Sequence, residues 1–222
     1  MTIPHYNVVI ATPGSSFKPE YVKSLVATTT RLNQEDLTYH LVNQYSSFVP
    51  TARELTALDS TQHNFDTTQI GSGKFTCDKI FWIDSDIEWT PDDFMSLYRS
   101  GLDIVSGLYQ LDWAGTVAVS VANKHGNPTR VNKVEFLLHD DAMPVGGVGF
   151  GFLAVKSSVW EDIPRPWFII AKVKWRPEDP DSPMVNMGED YSWCERAKAA
   201  GYKIWVDPNV KVKHHKETVY EV

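Results

Sequence analysis

The chain has 222 residues, of which 42% are hydrophobic and 22% are charged, and its net charge is −7. This composition is typical of an ordinary globular protein and excludes a low-complexity or disordered chain. The negative charge argues against simple electrostatic binding of nucleic acid, although basic residues balance acidic ones in residues 156–222. No run of 18 apolar residues and no basic, apolar leader is present, so we expect a soluble, cytoplasmic protein without membrane insertion.

The first third of the chain alternates strand and helix patterns. Residues 6–11 form an apolar run that predicts a buried strand, followed by a turn over residues 12–16. Pro19 suits the first position of a helix that runs to Leu32 and carries Val22 and Val26 on its apolar stripe. A second strand is predicted over residues 38–42, and a second helix after Pro50 carries Arg53. This alternation predicts a mostly parallel, doubly wound sheet.

The next predicted strand, the third or fourth of the chain, ends abruptly in two carboxylates. The apolar residues 80–83 are followed by Asp84, Ser85 and Asp86. In an extended chain alternate side chains share a face, so Asp84 and Asp86 are expected to point into one crevice and Ser85 away from it. Oxygen ligands select hard divalent cations such as Mg²⁺ or Mn²⁺, which keep positions for water or phosphate. A second Asp-x-Asp triplet at residues 179–181 lies in a proline-rich stretch and is predicted to be a solvated loop.

The middle of the chain predicts a change to a mixed sheet. A capped helix over residues 90–101 is followed by a strand over residues 104–109. Residues 117–121 and the turn-like residues 123–127 indicate a pair of strands joined by a tight turn. The segment 146–151 contains too many glycines for a strand interior, which indicates close approach of a ligand or of another part of the protein.

A second group of chemically active residues begins the last predicted helix. Glu189 and Asp190 lie in its first turn, and Gly201 follows its end. Acidic residues stabilise a helix N-terminus, and this structural role explains the presence of one of these two acidic residues. The helix field lowers the pKa of Asp190, so a general base here needs burial or a nearby anion to raise it.

The histidines near the C-terminus differ in the face they are expected to occupy. Period-two alternation places His214 on the inward face with Val210 and Val212, whereas His215 shares the outward face with lysines. Imidazole is a common metal ligand, so His214 is favoured over His215 as a further ligand beside the two aspartates.

The order of these motifs resembles that of metal-dependent glycosyltransferases with the GT-A fold, close to the family 2 type. The resemblance covers nearly the whole chain. It implies that Asp84 and Asp86, with Ser85 between them, form the Asp-x-Asp motif that holds Mn²⁺ or Mg²⁺ on a nucleotide-sugar diphosphate. It also implies that His214 is the C-terminal metal ligand and that Thr12, Pro13 and Arg53 surround the nucleotide.

The same resemblance assigns the acceptor side. Glu189 and Asp190 match an acidic pair that faces the acceptor, with Asp190 as the expected base. We therefore expect one domain over residues 1–222, with a nucleotide-sugar half (1–110) and an acceptor half (111–222) that has a smaller sheet. The expected activity is transfer of a hexose or pentose from a nucleoside-diphosphate sugar, first of all a UDP-sugar, to an acceptor hydroxyl, with inversion.

Other interpretations stay open at this stage. The acceptor is not identified, and a hydroxymethylated base in DNA is one option; the protein is expected to be a monomer or a weak dimer. An apolar strand followed by Asp-x-Asp also resembles the start of haloacid-dehalogenase-type phosphatases, but there the motif opens the fold and here it follows two strand-helix units. A sugar-nucleotide-binding protein without catalysis is the third interpretation.

Overall fold

A computed structural model describes residues 2–62, 67–122, 128–136, 138–174 and 178–216. The helices are α1 Pro19–Gln34, α2 Val49–Leu58, α3 Pro91–Arg99, α4 Ser157–Asp162 and α5 Glu189–Ala199. The strands are β1 His5–Ala11, β2 Tyr39–Val42, β3 Thr76–Ile83, β4 Ile87–Glu88, β5 Ile104–Leu108, β6 Thr116–Ala122, β7 Pro128–Asn132, β8 Met143–Val145, β9 Gly147–Val148, β10 Phe152–Lys156, β11 Ala171–Lys174, β12 Met184–Met187, β13 Ile204–Lys211 and β14 Lys213–His214.

The main sheet is mixed, as the sequence predicted. Its strands lie in the order β2-β1-β3-β10-β5-β13-β8. Strands β2, β1, β3, β5 and β13 run in one direction, and β10 and β8 run in the other. A smaller sheet contains β7, β6 and β9, and two separate pairs are β11 with β12 and β14 with β4. The predicted turn at residues 123–127 lies outside the described residues.

The core lies on both faces of the main sheet, which is why β3 has a continuous apolar run. Ile80 and Trp82 face one buried cluster, whereas Phe81 and Ile83 face the other. Helices α1 and α3 contribute to the second cluster, and α2, α4 and α5 contribute to the first. None of the described helices is long and apolar enough to span a membrane.

The buried face of α1 differs from the predicted one. Val22 and Val26, expected in the core, are 46% and 59% exposed. The face that packs inward instead contains Ser24 and Thr28, because Trp89 satisfies their hydroxyl groups: Ser24 Oγ donates to the Trp89 carbonyl at 2.7 Å, and the indole N–H donates to Thr28 Oγ1 at 2.8 Å. Polar side chains with hydrogen-bond partners thus occupy the inward face of α1 in place of the predicted apolar residues.

Strand β13 contains a proline, Pro208. It continues through this residue to Lys211, with an irregular register against β5 between Asp207 and Lys211. A proline is tolerated where a ladder is irregular, since its missing N–H is not needed there. The chain then forms β14, which pairs with β4 and so returns to the end of β3.

Candidate active site

The two aspartates of the Asp-x-Asp motif lie in a tight turn directly after β3. The Asp84 amide still donates to the Gly151 carbonyl at 3.1 Å, which continues the contact between β3 and the β10 side. The Ile87 amide then donates back to the Asp84 carbonyl at 3.1 Å and closes the turn. The expectation of an extended Asp84-Ser85-Asp86 segment was therefore wrong, because a turn at residues 85–86 separates β3 from β4.

His214 lies beside Asp86. The pairing of β14 with β4 places His214 opposite Ile87 and Lys213 opposite Glu88. His214 Nε2 is 3.1 Å from Asp86 Oδ2, whereas His215 Nε2 is 2.7 Å from Glu88 Oε2. The expected facing of the two histidines is thus observed, and His214 is the one that reaches the Asp-x-Asp turn.

The orientation of His214 suits a metal ligand. Its Nδ1 lies 2.9 Å from the Gln110 carbonyl oxygen, which can only accept, so Nδ1 carries a proton and Nε2 points at Asp86. The hydrogen bond with Asp86 raises the pKa of His214. Burial raises the pKa of Asp86, but the hydrogen bond and the charge of His214, together with a backbone hydrogen bond and the charge of Lys216, outweigh burial and lower the pKa overall. Either a proton or a cation must therefore lie between these two electron-pair donors.

The spacing of the two donors fits an octahedral divalent cation. Neighbouring ligands on Mg²⁺ stand about 3.0 Å apart, close to the 3.1 Å between His214 Nε2 and Asp86 Oδ2. Within the described part of the chain, no group of three or more acidic, histidine or cysteine side chains converges to hold a metal. The protein donors that fit are thus Asp86 and His214, and such a site leaves positions for water or phosphate oxygens.

Asp84 is turned to Arg53. Arg53 Nη2 is 3.3 Å from Asp84 Oδ1, and Nη1 is 3.5 Å from Glu189 Oε1. The guanidinium group also lies over the Phe150 ring, 5.1 Å from its centre. Arg53 on α2 therefore connects the turn after β3 with the start of α5, and Asp84 does not face the same partner as Asp86.

The Arg53 guanidinium is buried but incompletely satisfied. The side chain is 7% exposed, and among the described residues Nε and Nη1 have no hydrogen-bond partner. Burial lowers the pKa of Arg53, but Asp84, Glu189 and Asp190 outweigh that effect and raise the pKa, so the group stays charged. Burial raises the pKa of Asp84, and Arg53 offsets only part of this rise. A buried cation with free N–H groups is suited to bind an anionic or hydroxyl-bearing ligand.

Glu189 and Asp190 begin α5 as predicted. Asp190 Oδ1 accepts a hydrogen bond from the Tyr191 amide at 2.7 Å. Burial raises the pKa of Asp190, whereas Arg53 and this amide lower it, and the net shift is upward. The helix field alone predicted a lowered pKa, so burial decides the direction. A carboxylate with a raised pKa is better suited to accept a proton.

Tyr109 is a site residue that the sequence analysis missed. Its hydroxyl accepts a hydrogen bond from the Gly151 amide at 3.0 Å, and its ring packs edge to face with His214. A Cβ atom at Gly149 would lie 2.2 Å from this hydroxyl. The glycine-rich segment therefore admits a tyrosine side chain, and Tyr109 supports His214. The sequence feature that could have identified Tyr109 is its position at the end of the predicted strand 104–109, which leads into the site.

The loop after β1 lies against the Asp-x-Asp turn. The Lys18 amide donates to the Ser85 carbonyl at 3.0 Å, and a Cβ at Gly14 would lie 3.2 Å from Ser85 Oγ. Pro13 is half-buried in this loop. The Thr12 side chain, expected near a nucleotide, is fully buried and hydrogen-bonded to the Tyr21 hydroxyl. Thr12 thus fixes the loop through the core.

Comparisons with known proteins support the fold but give no sequence relative. No protein-family model and no curated protein matches the chain. The structure is similar to that of A197 from STIV, with a TM-score of 0.54 and 18% identity over 97% of each chain. It is also similar to GalNAc-T7 solved with UDP, GalNAc and Mn²⁺, with a TM-score of 0.53 and 10% identity over 94% of this chain and 44% of that chain. The predicted GT-A fold is confirmed: this chain has a GT-A-type α/β fold.

Proposed function

We propose that this protein is a metal-dependent glycosyltransferase that moves a hexose or pentose from a nucleoside-diphosphate sugar to an acceptor hydroxyl. The observation that carries the proposal is the contact of His214 Nε2 with Asp86 Oδ2, two groups able to bind a metal, at 3.1 Å after the end of the central strand β3. Ligands of open α/β sheets bind at this end of the strands. The complex of GalNAc-T7 with UDP, GalNAc and Mn²⁺ supports a UDP-sugar as the first donor to test.

On the donor side, Asp86 and His214 would hold Mn²⁺ or Mg²⁺, which when bound compensates negative charge on the departing diphosphate. Asp84 holds Arg53 in place through their ion pair, and we assign it a supporting position beside the cation. Ser85, Thr12 and Pro13 shape the wall against which the nucleotide lies, with Thr12 acting through the backbone that it fixes.

On the acceptor side, Asp190 accepts the proton of the attacking hydroxyl, because burial raises its pKa and it lies in the first turn of α5. Glu189 faces Arg53 and orients that guanidinium toward the site. If the base and the leaving group lie on opposite faces of the sugar, the product is inverted. Residues 1–110 form the donor half in this scheme, and residues 111–222 the acceptor half.

The other interpretations have no structural observation in their favour. In the phosphatase interpretation Asp84 would be the nucleophile, but its carboxylate is paired with Arg53. Binding without catalysis differs from transfer only in whether product forms.

The two neighbouring histidines provide a matched experiment. UDP release from a panel of UDP-sugars is measured with Mn²⁺, for the wild type and for His214→Ala and His215→Ala. Loss of a ligand is expected to reduce UDP release about 10–100-fold in His214→Ala, and His215→Ala should stay close to the wild type. Equal effects of the two substitutions, or release that EDTA does not change, would contradict the proposed function.

A further inference from the structure

Trp113 is exposed to an unusual degree for its size. Its side chain is 99% exposed, whereas the other described tryptophans are buried or half-buried. An indole offers roughly 150–250 Å² of largely apolar surface that water solvates poorly. Single exposed apolar residues are common on protein surfaces, so exposure alone assigns no role. The position and rigidity of the Trp113 loop, residues 111–115, are what give this residue a role.

The Trp113 loop begins at the metal-donor pair. Gln110, whose carbonyl holds His214 Nδ1, is three residues before Trp113. Three residues of chain span at most about 11 Å, so the indole is attached within that distance of Gln110. The loop lies in the 111–222 part of the chain, which the proposed function assigns to the acceptor.

The loop is held by hydrogen bonds on both sides of Trp113. The Thr116 amide donates to Asp112 Oδ1 at 3.1 Å, and Asn132 Nδ2 donates to the Ala114 carbonyl at 2.7 Å. Lys216 Nζ donates to the Leu111 carbonyl at 2.6 Å. An exposed aromatic ring on a fixed backbone can bind a ligand without the entropic cost of ordering a loop. The tryptophan is therefore arranged as a preformed platform.

The net charge of the chain favours a neutral ligand over a polyanion. The reaction centre contains one buried arginine, Arg53, with three carboxylates around it, and a fourth carboxylate beside His214; the whole chain has a net charge of −7. Lys133 Nζ donates to Gln110 Oε1 and Lys216 Nζ donates to the Leu111 carbonyl; both acceptors are neutral, so these two ammonium groups keep their charge. The net charge of −7 disfavours the approach of a polyanion unless a bound cation compensates it, whereas a neutral sugar is not affected.

We propose that Trp113 is the acceptor platform and that the acceptor is a saccharide whose ring stacks on the indole. One face of a pyranose carries C–H groups that pack on an aromatic face, while its hydroxyl edge stays free to react. This inference rests on the proposed function, names its acceptor class, and replaces modified DNA as the acceptor to test first.

The test measures saccharide binding separately from donor binding. Methyl glycosides of common hexoses and pentoses, and lactose, are titrated in the presence of UDP and Mn²⁺, and binding is followed by saturation-transfer NMR. The proteins are wild type, Trp113→Ala, Trp113→Phe and a control, Val26→Ala, which changes a residue that is 59% exposed on α1. UDP affinity is measured for each.

Loss of stacking is expected to weaken saccharide binding about tenfold in Trp113→Ala. Trp113→Phe retains an aromatic face and should stay within about threefold of the wild type, as should Val26→Ala. UDP affinity should be the same in all four. Unchanged saccharide binding in Trp113→Ala would overturn the inference and would leave the proposed donor site unaffected. Binding of a single-stranded thymidine oligonucleotide, with no binding of any saccharide, would also overturn it. Absence of UDP binding would instead count against the proposed function.

Discussion

Two adjacent residues of α2, Arg53 and Glu54, are both buried but differ in how completely they are paired. Glu54 accepts hydrogen bonds from Arg165 Nε at 2.7 Å, from the Trp167 amide at 3.0 Å and from the Phe168 amide at 3.3 Å. Arg53 reaches its carboxylate partners only at 3.3 Å and 3.5 Å. The comparison separates a charge that holds the structure together from one that is kept available for a ligand.

The hydrogen bonds of Glu54 help to hold the helix that carries Arg53 in position. Glu54 holds the segment 165–168, and Arg196 of α5 donates to the carbonyls of Pro166 and Trp167 at 2.6 Å and 3.0 Å. This segment therefore fixes α2 relative to α5, the two helices that carry Arg53 and Asp190. The hydrogen bonds of this segment stabilise the positions of the two helices, while the polar groups that face the site remain available to bind a ligand.

The largest expected effect is on catalysis, from Asp190→Asn. Loss of a general base is expected to lower kcat about 10²–10⁴-fold. Burial raises the pKa of Asp190 in the folded protein above its value in the unfolded chain. The free energy of unfolding therefore falls as the pH rises from the unfolded-state pKa through the folded-state pKa. At neutral pH the ionised carboxylate opposes folding. We therefore expect Asp190→Asn to be at least as stable as the wild type in urea unfolding.

The pH dependence of the wild type sharpens this expectation. The base must be ionised, so kcat should fall as the pH drops through a pKa above the usual carboxyl range, and this limb should be absent from the residual activity of Asp190→Asn. A loss of stability in Asp190→Asn together with an unchanged pH profile would show that the residue is structural.

The next effect is on stability, from Glu54→Gln. Removing one member of a buried, hydrogen-bonded ion pair costs about 3–5 kcal/mol of unfolding free energy, because Arg165 and two backbone amides then lose an ionised acceptor. Urea unfolding monitors the change, with Glu161→Gln on exposed α4 surface as the control. Activity per folded molecule should stay close to that of the wild type. A stability equal to that of the control would show that this cluster does not hold the two helices.

The smallest effect on stability is expected from Arg53→Met. Its contacts are long, and its Nε and Nη1 atoms have no hydrogen-bond partner among the described residues, so we expect a loss of about 1 kcal/mol, well below that of Glu54→Gln. Transfer activity should fall about 10–100-fold, because a charged N–H donor to the ligand is worth roughly 1.5–3 kcal/mol. If Arg53→Met unfolds as readily as Glu54→Gln, the distinction between the two residues fails.

Local patterns in the sequence predicted the parts of this site that depend on local structure. The end of β3 at Ile83, the start of α5 at Glu189 and the alternating faces of residues 210–214 follow from hydrophobic periodicity and helix-capping rules. The tight turn at Asp84 was missed because the return of the chain to β4 depends on its distant partner β14.

Pairings between distant segments could not be predicted. No spacing rule connects Arg53 with Glu189 or Tyr109 with Gly151, since these contacts arise only when the sheet is assembled. For the same reason the ion pair of Asp84 with Arg53 was not predicted beside the assignment of Asp84 to the cation. The prediction of the inward face of α1 was wrong because Trp89 provides hydrogen-bond partners for Ser24 and Thr28.

Calorimetric titration of UDP, with Mn²⁺ and with EDTA, tests the central claim most directly in the wild type and in Asp86→Ala. We predict that Mn²⁺ tightens UDP binding to the wild type by about tenfold or more, since in the proposed function the cation would be held by Asp86 and His214 and would bind the diphosphate. In Asp86→Ala this enhancement should disappear while the protein remains folded. Equal UDP affinity with Mn²⁺ and with EDTA in the wild type would contradict the account.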